Sequence, residues 1–149
     1  MGQGDWPAAR SAFEGALKEG ESAEGLEGLG TAASWLCDPD TAFPARERAH
    51  GLFCERSDAR SAARVAVSLA VDFANVRGDM AMASGWLQRA AGLLEGVETS
   101  PEHCWTRFYQ GLLALMEGDL PRAREHIEVL KIDARLLGAI DQIRVHLAA

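Results

Sequence analysis

The sequence predicts an all-α protein, a right-handed superhelix of stacked antiparallel helical hairpins with about eight helices. Ala and Leu, which favour helix, number 26 and 17, whereas Val, Ile and Thr, which favour strand, number 7, 4 and 4. One helix start recurs four times as Asp followed four residues later by Ala: Asp5 and Ala9, Asp38 and Ala42, Asp79 and Ala83, Asp119 and Ala123. A recurring unit of this kind is the mark of a repeat architecture. The 149 residues, 48% hydrophobic and 25% charged, suit one domain with a hydrophobic core over 1–149.

The first helix is predicted over 5–18, with Asp5 as its cap, Pro7 in the first turn and Trp6 stapling the turn. The second, 23–37, carries Leu26, Leu29, Gly30, Ala33, Trp35 and Leu36. The third, 40–56, follows Asp38-Pro39. Pro44 removes a backbone hydrogen bond there, so this helix is expected to start late, near Thr41, or to bend. Ser57-Asp58 opens a fourth over 59–77, lined by Val67, Ala70, Val71 and Ala74. Gly78-Asp79 opens a fifth over 80–95, with Trp86 on its packing face. Thr99-Ser100-Pro101, with Glu102 in the first turn, opens a sixth over 101–117. Gly118-Asp119 and Pro121 open a seventh over 120–137. Ile140, Ile143 and Leu147 make an apolar stripe on an eighth, 139–149, expected to cap the stack with Asp141, Gln142 and Arg144 facing water.

Each repeated start has a physical logic. Asp accepts from the free N–H groups of a new helix and suits its positive end. Gly4, Gly78 and Gly118 precede three of the starts and Cys37 the other; Gly ends a helix readily because it reaches positive φ. Offsets of four, eight and eleven residues from the Asp fall on one helical face, reading Ala9, Phe13 and Ala16 in the first unit. Small residues there, and Gly30 and Gly111 on the preceding helices, let neighbouring helices approach. Short connections make neighbours in sequence antiparallel.

The pattern Leu26-x-x-Leu29-Gly30-x-x-Ala33, then Asp38, Ala42 and Ala49, resembles the tetratricopeptide repeat, as does Gly111-x-x-Ala114 with Gly118-Asp119 and Ala123. The spacings between the four Asp residues, 33, 41 and 40, run longer than that repeat's standard, and its closing proline is missing. Longer phrases, Glu27-Gly28-Leu29-Gly30 leading to Trp35-Leu36, Ala45-Arg46-Glu47-Arg48-Ala49, and Arg77-Gly78-Asp79 leading to Gly85-Trp86-Leu87, resemble the repeat-rich region of bacterial LuxR-type transcriptional regulators. That resemblance implies a regulatory or sensing module that binds protein or peptide, here without the family's helix-turn-helix, since eleven residues follow Gly138. The repeat register implies a partner-binding groove made by Glu24, Glu27, Thr31 and Trp35, then Ser68, Asp72 and Asn75, then Trp105, Phe108 and Leu112. An acidic end grading into an aromatic one suits a basic or amphipathic segment.

Other classes are weighed against this reading. The formal charge of −7 argues against direct nucleic-acid binding. No apolar run is long enough to span a bilayer, and Met1-Gly2-Gln3-Gly4-Asp5 has neither region of a signal peptide. Three cysteines argue for a reducing, cytoplasmic compartment, and 13 Arg against 2 Lys for a GC-rich bacterial source. A small-molecule sensor with a pocket between Trp35, Asp72 and Phe108 is the first alternative. Asp72 stands among Val71, Phe73 and Ala74, so it needs a partner, which Arg64, Arg77 or a neighbouring helix would supply. The second alternative is a metal- or thiol-dependent enzyme. His50 and Cys54 are four apart on one helix, and His103, Cys104 and Cys37 are the further ligands. No C-x-x-C, H-E-x-x-H, phosphate loop or Gly-x-Ser-x-Gly elbow occurs, so neither catalytic residues, metal nor cofactor is expected. At the N-terminal end, Phe13, Ala16 and Leu17 are expected to leave an apolar edge that drives homodimerisation or packs on a preceding segment.

Overall fold

The computed structural model describes residues 4–138. Those residues form seven α-helices and no strand: α1 (Trp6–Glu19), α2 (Ala23–Trp35), α3 (Pro39–Glu55), α4 (Ala59–Asp72), α5 (Met80–Leu93), α6 (Pro101–Met116) and α7 (Leu120–Leu137). A π-helical turn, Phe73–Arg77, follows α4. The expected capping helix over 139–149 lies outside the described residues. None of the described helices is long and apolar enough to cross a membrane.

All four repeated Asp residues are helix caps. The carboxylates of Asp5, Asp38, Asp79 and Asp119 accept from the backbone N–H of Ala8, Thr41, Met82 and Arg122, and Asp58 does the same for Ser61. Preceding residues turn through positive φ: Cys37 at 55°, Ser57 at 58°, Gly78 at 64° and Gly118 at 79°. Cys37 and Ser57 thus adopt the left-handed geometry that glycine takes at the other turns.

Two helix expectations need correction. α3 begins at Pro39, directly after its cap, and runs through Pro44. The carbonyl left without its donor by Pro44 belongs to Asp40, an exposed residue of the first turn. The helix expected over 59–77 ends as α-helix at Asp72 and finishes in the π turn. The N–H groups of Asp38, Asp58 and Asp119 each donate to a carbonyl five residues back, but that of Asp79 reaches six back, to Phe73. The wide turn absorbs one extra residue before the cap, which periodicity alone does not reveal.

Consecutive helices pack on each other, and α4 packs on α6 as well. α4 is therefore the centre of the core, burying Ala62, Ala63, Val65, Ala66, Leu69 and Ala70. Phe43, Ala49 and Phe53 of α3 and Ala83, Trp86, Leu87 and Ala90 of α5 join them. Full burial of Phe53 or Leu69 stabilises by about 1.5–3 kcal/mol each. The repeated Ala is buried at 42, 83 and 123 but only half-buried at Ala9. α1 buries none of its residues; Phe13 and Leu17 are partly covered by α2, and Ala16 is exposed.

Glycines set the closest approaches. A Cβ on Gly28 would lie 2.3 Å from the Phe13 ring of α1, and one on Gly30 would lie 2.6 Å from Cγ of Arg46. At Gly111 the nearest atom would be 3.4 Å away, an ordinary contact. Close approach therefore depends on Gly28 and Gly30, whereas Gly111 has room for a methyl group.

Candidate functional site

Among the described residues a cleft of about 510 Å³ is bordered by α2, α4 and α6, with Arg46 of α3 reaching in from behind. Its aromatic lining is Trp35, Trp105 and Tyr109, and its aliphatic lining is Val67, Val71 and Val76. The π turn delivers Asn75 and Val76 to the rim. Trp35 is 63% exposed and stacks on Trp6 of α1, with centroids 5.3 Å apart and planes 7° from parallel. Trp6 thus fastens α1 against the cleft's edge besides closing its own turn. In α6, Trp105 lies against Phe108 and Tyr109.

At the back of the cleft Arg46 forms an ion pair with Asp72, each residue 7% exposed. The Ser34 hydroxyl donates to the other Asp72 oxygen at 3.1 Å, and Arg46 also donates to the Ser68 carbonyl at 3.5 Å. Of the expected partners of Asp72, it is a neighbouring helix, α3, that supplies the cation, while Arg64 and Arg77 are engaged elsewhere. Arg77 lies over the Phe43 ring, 4.3 Å from its centroid. Arg64 of α4 donates to both Glu27 oxygens of α2, at 2.6 and 2.8 Å, and its guanidinium lies 3.7 Å from Glu102 of α6. Arg64 therefore clamps all three bordering helices, and bonding to Glu27 raises its pKa, so the cation is held.

Of the residues named from the repeat register, Trp35, Ser68, Asp72, Asn75 and Trp105 line this cleft. Glu24, Glu27, Thr31, Phe108 and Leu112 do not. Glu24 is paired with Arg56 at 2.7 Å, and that bond lowers its pKa. Glu27 is held by Arg64, and the Thr31 hydroxyl donates to the Glu27 carbonyl of its own helix. Leu112 lines an adjoining, mostly apolar cavity of about 70 Å³ between α4, α5 and α6, which shares Val71, Asn75 and Tyr109 with the cleft. The pocket expected between Trp35, Asp72 and Phe108 forms with Trp105 and Tyr109 in place of Phe108. Tyr109 lies one helical turn after Trp105, and that spacing was a readable signal. Arg46 occupied a packing position of the repeat, and nothing local marked it as the partner of Asp72.

The acidic end of the groove is consequently neutralised from within the chain. The cleft lining itself holds two cations, Arg46 and Arg64, and two carboxylates, Asp72 and Glu102.

His50 and Cys54 meet one helical turn apart on α3. Nδ1–H of His50 donates to the Ala62 carbonyl at 3.1 Å, leaving Nε2 to accept from the Cys54 thiol at 3.7 Å. Burial lowers the His50 pKa and raises that of Cys54, so both favour the neutral forms. Cys104 is buried in a separate cluster with Ala134, Leu130 and Leu137. His103 caps α6: its Nδ1 accepts from the Ser100 N–H at 3.1 Å. Among the described residues no group of three or more His, Cys, Asp and Glu side chains is placed to hold a metal ion. Comparison of the chain with protein-family models, curated proteins and solved structures found no match in any of the three.

Proposed function

We propose that this chain is a non-catalytic, cytoplasmic interaction module whose α2–α4–α6 cleft receives a segment of another protein. In this reading the helices are antiparallel hairpins of a right-handed, tetratricopeptide-like superhelix, and the module is the regulatory part of a LuxR-type transcriptional regulator. The carrying observation is the cleft's composition: three aromatic side chains, Trp35 of α2 and Trp105 and Tyr109 of α6, around a polar floor. Stacked hairpins present their binding surface along those helices, and aromatic anchors concentrate binding energy at interfaces. The repeated Asp caps and the phrases around Gly30 and Trp86 support the family reading. A second reading has one observation in its favour: about 510 Å³ is the size of a small-molecule site.

Selection of a displayed random nonapeptide library against the intact chain tests the proposal. Binders with Kd below about 100 μM are expected, and Trp105→Ala should weaken them at least ~10-fold. A library without binders, together with a co-purifying small molecule in native mass spectra, would replace this reading with the second.

A further inference from the structure

We infer that one face of α6 reads an extended partner segment at two points: a Lys or Arg side chain at Glu102, and an aliphatic side chain about four to six residues away in the α4–α5–α6 cavity. This rests on the proposed segment-binding role of the cleft and adds the chemistry of the partner. Glu102, Trp105, Tyr109, Leu112 and Met116 stand at offsets of 0, 3, 7, 10 and 14 residues, so they share one face of the helix. The first three line the cleft and the last three line the small apolar cavity. Because Tyr109, Val71 and Asn75 belong to both, the two spaces are one groove, acidic and aromatic at one end and aliphatic at the other. Charge decides which end takes a cation. Arg46 and Asp72 cancel each other behind the cleft. Arg64 gives its hydrogen bonds to Glu27, and Glu102 lies 3.7 Å from it without one. Two carboxylates thus face one cation, and the excess negative charge rests on Glu102, whose side chain is only 15% exposed and poorly screened by water. An entering Lys or Arg gains that carboxylate and the adjoining Trp105 and Tyr109 rings. From Glu102 to Leu112 is about 15 Å along α6, which an extended chain covers in about five residues. Ser68 and Asn75 on the floor offer polar atoms to the backbone groups that such a segment leaves unpaired.

Nonapeptides selected on the wild-type chain are the probes, each with one analogue in which the basic residue becomes Met and one in which the aliphatic residue becomes Ala. Further analogues move the basic residue along the peptide. Affinities are measured by fluorescence anisotropy at about 50 and 500 mM NaCl. Selected peptides should carry Lys or Arg about four to six positions from Leu, Ile, Val or Met, and bind at least ~5-fold more weakly in high salt. Glu102→Gln should weaken them ~10-fold, remove most of the salt dependence and leave the Met analogue unchanged. Arg64→Gln takes away the competing cation and should tighten them at least ~3-fold. Leu112→Ser should weaken them ~5-fold with the salt dependence kept, and leave the Ala analogue unchanged. Matched melting curves should show that all variants fold. Selected peptides without a basic residue, affinities indifferent to its spacing, or an unchanged affinity on Glu102→Gln would overturn the inference while segment binding stands. Absence of any binder would overturn segment binding, and this inference with it.

Discussion

Arg46 and Asp72 carry the largest stake of any residue pair described in this protein. Both are buried, and among the described residues each is the other's only opposite charge at hydrogen-bond distance. Removing one partner leaves an uncompensated charge in the interior, whereas removing both leaves only a packing change. Asp72→Ala is therefore expected to cost about 3–5 kcal/mol, while Arg46→Met with Asp72→Leu should be neutral or stabilising by about 1–4 kcal/mol. Urea unfolding of the two variants beside the wild type measures this, and a single variant as stable as the double would refute it. The apolar neighbours of Asp72 already showed a carboxylate in need of a partner. They could not show which partner, because Arg46 lies 26 residues away on α3 and meets it only through helix packing. The same limit applies to Glu24 and Glu27: the repeat register put them at the groove, but neither lines the cleft, because arginines from beyond α2 pair with them.

At the scale of elements, the turns repeat one device. A residue at positive φ ends one helix and an Asp cap opens the next. The chain uses Gly at two of these turns and Cys37 and Ser57 at two others. A side chain in the left-handed region costs roughly 1–2 kcal/mol, which glycine avoids. Cys37→Gly should accordingly raise stability by about 1 kcal/mol, less the extra entropy of an unfolded glycine. A shift of the urea midpoint to higher concentration at constant slope would register this; a shift downward would mean that the Cys37 side chain makes a contact worth more than the strain. These turns were legible because a cap needs only a side chain three residues from its N–H. The π turn was not, since its extra residue leaves Phe73-Ala74-Asn75-Val76-Arg77 looking like ordinary helix. Its consequence is positional, for it sets Asn75 and Val76 at the cleft.

For the whole molecule, acid sensitivity follows from its histidines. Burial lowers the pKa of His50, and burial with Arg107 and Arg122 lowers that of His126, each below the ordinary 6.5. The unfolded chain then binds more protons than the folded one between the lowered values and 6.5. This contribution to stability is fully present above about pH 6.5 and is lost as pH falls through the folded pKa values. The lowered carboxylates, such as Asp38 and Asp58, add their loss only in more acid solution, below their ordinary 3.8. Melting temperature should therefore drop between pH 7.5 and 5.5, and His50→Gln should flatten part of that drop. A melting temperature that is level or rises on acidification would mean the two rings are not held neutral.

The sequence by itself determined the helices, their Asp caps and the faces that carry Ala and Leu. These depend on hydrogen bonds and periodicities spanning a few residues, so each is settled within one turn or one helix. Tertiary structure alone decided which charges meet and which aromatic rings line the cleft. A rotation of one residue about a helix axis turns a side chain by about 100°. That rotation is set by packing across α2, α3, α4 and α6, and it brings Tyr109 to the cleft in place of Phe108, joins Arg46 to Asp72, and puts Arg64 between two carboxylates.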